Sequence, residues 1–316
     1  MKTLQELKEF YDKNLLPDLQ NLEEIRLNNL KKMAAWIVPI LLGSLVLAIL
    51  FKDAGDAAGF IVFLAFIVSG IIVAYITRGY VSNFKQKIIE KIVHFVGPSL
   101  NYQPTGYIDS HRYKESRLFL RQHDVYKGDD RVHGKIGATA VDFSELHTQY
   151  ITRDSKGRTS YHTIFKGLFF IGDFNKDFKG RTFVLPDTAE SLFGGMAKLF
   201  QSWAMSRPEL VKLEDPEFER LFVVYADDQI EARYILSPSL MKRIVDFKKK
   251  SRKNIRLSFL NSNVYVAIAY YKNLFEPRIF QTLLDFNPIK EYFEDLQLAT
   301  GIVEDLSLNL RIWTKD

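Results

Sequence analysis

Two stretches decide the fold: Met33–Phe51, MAAWIVPILLGSLVLAILF, and Ala57–Thr77, AAGFIVFLAFIVSGIIVAYIT. Neither holds a charge. Lys31, Lys32 and Lys52 bracket the first, and Arg78 closes the second. At 1.5 Å per residue the first run is about 28 Å long, close to the ~30 Å hydrocarbon core of a bilayer. A buried soluble helix rarely runs so far without a polar stripe. The pair therefore predicts a transmembrane helical hairpin over residues 33–77. Pro39 falls in the first turns, where a membrane helix tolerates it. Trp36, Tyr75 and Tyr80 fall near the interfaces, as amphipathic rings do. With no charge inside either span, the hairpin offers no ion or proton path of its own.

A cleaved signal peptide does not fit. The first run lies behind a segment with six acidic and six basic residues, and no small-residue cleavage site follows it. Arg26, Lys31 and Lys32 precede the hairpin, and Arg78, Lys85, Lys87 and Lys91 follow it. The connecting loop has one Lys beside Asp53 and Asp56. This asymmetry predicts both termini in the cytoplasm and a very short outer loop.

Elsewhere the chain reads as soluble. It has 316 residues, 47% of them hydrophobic, and no cysteine. That excludes a disordered chain, a disulfide scaffold and any cysteine-ligated zinc or iron–sulfur site. Residues 1–32 read as an amphipathic helical segment, opened by the capping box Thr3-Leu-Gln-Glu6 and broken or restarted at Pro17. Residues 78–98 read as a juxtamembrane helix stopped by Gly97-Pro98.

Residues 99–316 read as one α+β domain, an antiparallel meander with packed helices, divisible near residue 207. Val132–Ile136 and Thr139–Leu146 flank one turn. Thr148–Arg153 and Thr159–Ile171 flank another, and Phe178–Leu185 is expected to follow as the next strand. Ala189–Met205 reads as a helix. Leu221–Tyr225 reads as a strand, and Pro238–Lys250 as a helix capped by Ser237. Ile255–Leu260 and Val264–Tyr270 should pair around Asn261-Ser-Asn263. Helix returns from Pro277 to about Leu306, with a break near Pro288.

No phosphate-binding loop, nucleophile elbow or His-Glu-x-x-His motif is present. The histidines do not converge: His133 should face about Asp142, and His147 about Ile164. No metal or other cofactor is expected. Two acidic pairs, Asp129-Asp130 and Asp227-Asp228, are of the type that binds a divalent cation or shares a proton, or that simply accepts backbone hydrogen bonds in a turn. Glu231 and Arg233 lie close to the second pair, so a ligand pocket built from Asp227, Asp228, Glu231 and Arg233 is one expectation.

The other is the segment Lys242–Arg256, KRIVDFKKKSRKNIR, which carries eight basic residues and one acidic residue. They are Lys242, Arg243, Lys248, Lys249, Lys250, Arg252, Lys253 and Arg256. Lysines at a helix C-terminus complement its dipole, which accounts for part of the run. On a membrane-tethered chain such a run suits anionic lipid headgroups or an acidic partner. Nucleic acid is disfavoured, because no RNA-type aromatic motif accompanies it.

Several phrases occur together in order: Tyr126–Gly134 (YKGDDRVHG), Asp142–Leu146 (DFSEL), Ile164–Phe170 (IFKGLFF), Asp215–Glu219 (DPEFE), Phe222–Tyr225 (FVVY), Glu231–Pro238 (EARYILSP) and Leu274–Pro277 (LFEP). Behind a two-span hairpin, this order resembles the bacterial domain-of-unknown-function 3137 family, over about residues 75–285 and the hairpin. The resemblance implies a two-pass protein of the bacterial inner membrane without an established activity, found with LemA-like membrane proteins. It carries over no catalytic residue. The expected function is accordingly a non-enzymatic, membrane-anchored interaction module whose cytoplasmic domain binds a protein partner or the anionic leaflet. The alternative is a ligand-binding or enzymatic domain.

Overall fold

In the computed structural model, residues 2–52, 56–119, 121–174, 177–187, 208–306 and 308 are described. The expected helix Ala189–Met205 and the division near residue 207 lie outside them. The chain divides into two compact units. A helical unit comprises residues 2–92 and 275–292, and a sheet unit comprises residues 93–274 and the chain from 293 onward.

The helical unit opens with α1, Leu4–Phe10. Thr3 Oγ1 accepts from the Glu6 N–H at 3.2 Å, and Glu6 Oε2 accepts from the Thr3 N–H at 2.8 Å, so the capping box is formed. A wide, π-type turn at Tyr11–Leu15 follows, and α2 runs from Leu16 to Leu50 with Pro17 in its first turn. There Pro17 has no hydrogen bond to lose. Below the apolar run, the buried face of this helix is Leu15, Leu19, Leu22, Arg26, Asn29 and Met33, a stripe spaced by three or four residues.

Helix α3 spans Ala57–Phe84 and leads through a second π-type turn, Lys85–Ile89, into α4, Glu90–Val96. Helices α2 and α3 pack side by side. Within the apolar runs the described buried residues are Met33, Ser44, Ala65 and Ser69. Small side chains let two membrane helices approach closely. Leu42, Leu45, Phe60, Phe63 and Phe66 point outward and are exposed. Both helices are long and apolar enough to cross a membrane.

Among its described residues the sheet unit contains nine antiparallel strands: β1 Leu100–Gln103, β2 Val125–Ile136, β3 Thr139–Arg153, β4 Thr159–Asp173, β5 Thr182–Pro186, β6 Glu209–Val211, β7 Phe222–Ala226, β8 Ile255–Leu260 and β9 Asn263–Ala269. Their order across the sheet is β1-β2-β3-β4-β9-β8-β5-β7-β6. Helices α5 (Ser110–Glu115), α6 (Pro216–Glu219), α7 (Gln229–Ile235) and α8 (Pro238–Ser251) lie between strands in sequence. Helix α9, Phe286–Asp305, begins in the helical unit and ends in the sheet unit. The α+β class and the two apolar helices stand as expected from the sequence.

Strands β2, β3 and β4 form the expected meander, β1 adds an edge strand the sequence reading did not name, and the meander stops at β4. β5 does not pair with β4. It pairs with β7 and β8, and β9 takes the edge of β4, opposite Gly167–Asp173. Alternating hydrophobicity fixes which face a strand buries but not which strand lies beside it. Close approach at Gly167 helps to fix the choice. Its φ is 149°, and a Cβ there would meet the Ile268 carbonyl oxygen at 2.1 Å.

The β3–β4 register also departs from the expectation. His133 does face Asp142, but His147 faces Lys166 rather than Ile164. The connecting loop holds five residues, and a bulge at Thr148/Gln149 adds one more step. At the far end, helix α9 starts at Phe286 rather than Pro277. Pro288 sits harmlessly near its start, and Asp285 Oδ1 accepts from the Asn287 N–H at 3.0 Å.

One face of the sheet buries Leu146, Phe165, Phe169, Ile171, Phe183, Tyr265 and Ala267 against Ile108, Tyr113 and Leu118. Leu168 and Phe170, on the opposite face of β4, are buried as well. This is why IFKGLFF reads as an almost continuous apolar run.

Candidate functional site

The basic segment covers α8, its C-cap and the start of β8. Ser237 Oγ accepts from the Leu240 N–H at 3.4 Å to open the helix, and Arg252, with a left-handed backbone, closes it. The fold splits the eight cations evenly. Lys248 donates to the Lys253 carbonyl at 2.6 Å and to Asn254 Oδ1 at 3.2 Å, capping the chain just past the helix. Lys253 lies 4.5 Å from the centre of the Tyr270 ring, and Arg256 lies 5.1 Å from that of Phe119. Burial pushes the Lys248 ammonium and the Arg256 guanidinium down from their ordinary pKa values. Arg243 is half-buried and donates to the Glu304 carbonyl.

The other four, Lys242, Lys249, Lys250 and Arg252, are exposed. Lys249 meets Glu217 at 2.6 Å and Lys250 meets Asp305 at 2.9 Å. Pairs this exposed contribute little and exchange readily.

The Asp227 group is arranged differently. Asp227 accepts three hydrogen bonds from Arg181, one from its N–H and two from its guanidinium, at 2.6–3.0 Å. Glu231 accepts from the N–H groups of Lys179 (3.0 Å) and Gly180 (2.7 Å). Asp228 is the N-cap of α7, and Arg233 reaches Gln229 and the Lys212 carbonyl. The structure therefore brings Asp227 and Glu231 together on residues 179–181, and turns Asp228 and Arg233 to other tasks. A cavity of about 230 Å³ opens nearby, between Leu210, Val211, Phe218, Phe222 and Val224, and none of the four residues lines it.

The first acidic pair gains a member that sequence reasoning missed. A bulge in β2 gives Asp130 a φ of 56° and brings the carboxylates of Asp129, Asp130 and Glu145 within 4.8 Å of one another. Asp130 and Glu145 are buried. The Tyr102 hydroxyl donates to Asp130, and the Leu274 N–H donates to Glu145 at 2.6 Å. Three carboxylates this close repel one another, and a donor, a shared proton or a hard cation offsets that repulsion. The β2–β3 register sets Glu145 directly opposite Asp129, and the bulge keeps Asp130 in the same cluster, so the hairpin pairing was the signal that could have found Glu145.

Two further polar groups are buried where the sequence offered weak signals. In the sheet unit, Asp295 on α9 lies 3.2 Å from Lys272, and burial raises its carboxyl above the usual range although Lys272 and Lys253 pull it down. The neighbouring Tyr270 hydroxyl is raised by burial as well.

In the helical unit, Glu23 and Arg26 form a two-pronged pair at 2.7 and 2.9 Å, with 12% and 7% of their side chains exposed. Arg26 also donates to the Ile279 carbonyl at 2.9 Å. Glu23 also accepts from Thr282 Oγ1 (3.0 Å) and the Leu283 N–H (2.9 Å). The Arg26 guanidinium, helped by these donors, holds the Glu23 carboxyl down at about 2. Sequence reasoning missed this pair; the signal that could have found it is the three- and four-residue spacing that puts Arg26 and Asn29 on the stripe with Leu19, Leu22 and Met33, where an unpaired charge would be costly.

No curated protein matches the chain. Among solved structures it is similar to the mycobacterial trehalose monomycolate transport factor A, at 11% identity and a TM-score of 0.33, over 69% of this chain and 94% of that one. Over residues 163–308, a little under half of its length, the chain matches the model of DUF3137, a family of proteins of unknown function, and it resembles that family.

Proposed function

We propose that this is a two-span protein of the bacterial inner membrane, with both termini cytoplasmic, that tethers a folded sheet unit at the cytoplasmic leaflet. There it acts as a non-enzymatic interaction module for a membrane protein partner, of the LemA-like type, or for anionic lipid. The observation that carries the reading is the outward apolar surface of two adjacent helices, Leu42, Leu45, Phe60, Phe63 and Phe66, on a chain that also folds a nine-stranded sheet. The contact surface is the exposed half of the basic segment: Lys242, Lys249, Lys250 and Arg252. Each cation near an anionic leaflet contributes about 1 kcal/mol, so three or four give on the order of 3 kcal/mol. That orients a domain already tethered by its spans.

The test uses the full chain in nanodiscs, with a fluorophore on Asp246→Cys and an acceptor among the headgroups. Energy transfer should be higher in phosphatidylglycerol than in phosphatidylcholine. The excess should fall at several hundred millimolar salt and vanish when the four cations become Gln. Equal transfer in both lipids, unaffected by the substitutions, would leave the basic surface without a lipid role.

A further inference from the structure

The turn Arg278-Ile279-Phe280-Gln281 belongs to the helical unit and is closed by the Gln281 N–H donating to the Arg278 carbonyl at 3.2 Å. Its height along the helices can be read from its anchors. The Ile279 carbonyl is held by Arg26, seven residues before Met33, where the apolar run starts. Glu276 is held at 2.7 Å by Lys85, eight residues after Thr77, where the second run ends. At 1.5 Å per residue these anchors lie about 10–12 Å beyond the hydrocarbon edge. Thr282 and Leu283 are held by Glu23, about 15 Å out on the same scale, and Leu284 by the Tyr11 hydroxyl, further still. The stretch nearest the bilayer is therefore Glu276–Phe280.

Within that stretch Phe280 is 77% exposed. A bilayer's polar layer adds about 5–7 Å on each side of the hydrocarbon. The remaining gap of a few ångströms is within reach of a phenylalanine side chain. Leu27 of α2, 44% exposed, is a second apolar side chain at the same level along the helix. The backbone carrying Phe280 is fixed by a buried ion pair, so presenting this ring costs little further ordering.

We propose that Phe280 is an interfacial anchor that inserts into the headgroup layer of the leaflet bearing the juxtamembrane helices. The proposal rests on the membrane reading above, and it concerns a surface distinct from the basic segment. The absence of cysteine allows single nitroxide labels at Leu45→Cys, Phe280→Cys and Glu9→Cys in the full chain, reconstituted in phosphatidylglycerol/phosphatidylcholine nanodiscs. Collision with oxygen and with a water-soluble nickel chelate reports depth. Leu45 should be deep and Glu9 aqueous. Phe280 should lie between them, its nickel collision rate several-fold below that of Glu9.

Because a nitroxide is itself apolar, a second label at Gln281→Cys is compared with and without Phe280→Glu. The substitution should raise its nickel accessibility. If Leu45 is deep while position 280 matches Glu9, or Phe280→Glu leaves Gln281 unchanged, the anchor is overturned and the membrane reading stands. If Leu45 is aqueous too, the membrane reading itself fails.

Discussion

Glu23 accepts two hydrogen bonds from Arg26 and two from residues 282–283. Its carboxyl, held at about 2 when folded, ionises near its ordinary value once the chain unfolds. The stabilisation is therefore fully present above about pH 4.5 and is lost as the pH falls towards 2. Glu23→Gln leaves Arg26 buried beside a neutral partner. It should cost on the order of 3 kcal/mol at pH 7. In detergent the variant should melt lower than the parent, and its melting temperature should change less between pH 4.5 and 2. Equal melting curves would mean that the pair does not hold the loop.

Asp295 carries the opposite sign. Burial raises its folded pKa, so stability is greatest where the carboxyl is protonated and falls as the pH rises through the folded value. Asp295→Asn should raise the melting temperature at neutral pH and leave it nearly unchanged in acid. Of these groups, the Glu23–Arg26 pair was missed in the sequence, where Arg26 counted only towards the Lys/Arg asymmetry, although its spacing from Leu19 and Leu22 is that of the buried stripe. Asp295 was not legible either, because its burial depends on strands some 25 residues earlier.

At the scale of elements, the hairpin strands and their local pairings were legible, whereas the short strands β1 and β6 and the long-range pairings were not. Each expected strand in the described residues is found, although β2 starts seven residues earlier than expected and Thr139–Leu146 and Thr148–Arg153 are one strand, because period-two alternation and turn residues are local signals. The insertion of the β8–β9 hairpin beside β4 depends on distant surfaces, with Gly167 as a local condition for the approach. Gly167→Ala should destabilise the protein by about 1–3 kcal/mol from backbone strain, with the clash against the Ile268 carbonyl adding to this. Gly43→Ala, in open space on α2, is the matched control and should melt like the parent. The basic segment shows the same division. Its charge was plain in sequence, but only the packing of α8, β8 and β9 reveals that Lys248, Lys253 and Arg256 serve the fold.

For the whole molecule, the two apolar helices and the Lys/Arg asymmetry give a topology that single cysteines can check. Asp56→Cys in intact cells should react with a membrane-impermeant maleimide, and Ser155→Cys should react only after lysis. The reverse pattern would invert the orientation.

The strand order also bears on synthesis at the ribosome. β4 is complete at Asp173, but the hairpin that joins it to β5 is not complete until Ala269. At ~5–20 residues per second, the nascent chain waits roughly 5–20 s with the edges of β4 and β5 unsatisfied. The membrane hairpin emerges well before either edge exists, so each incomplete sheet is already immobilised on a bilayer, apart from its siblings. Insertion ahead of folding would thus protect the chain from edge-to-edge aggregation during the interval in which its own topology leaves it most vulnerable.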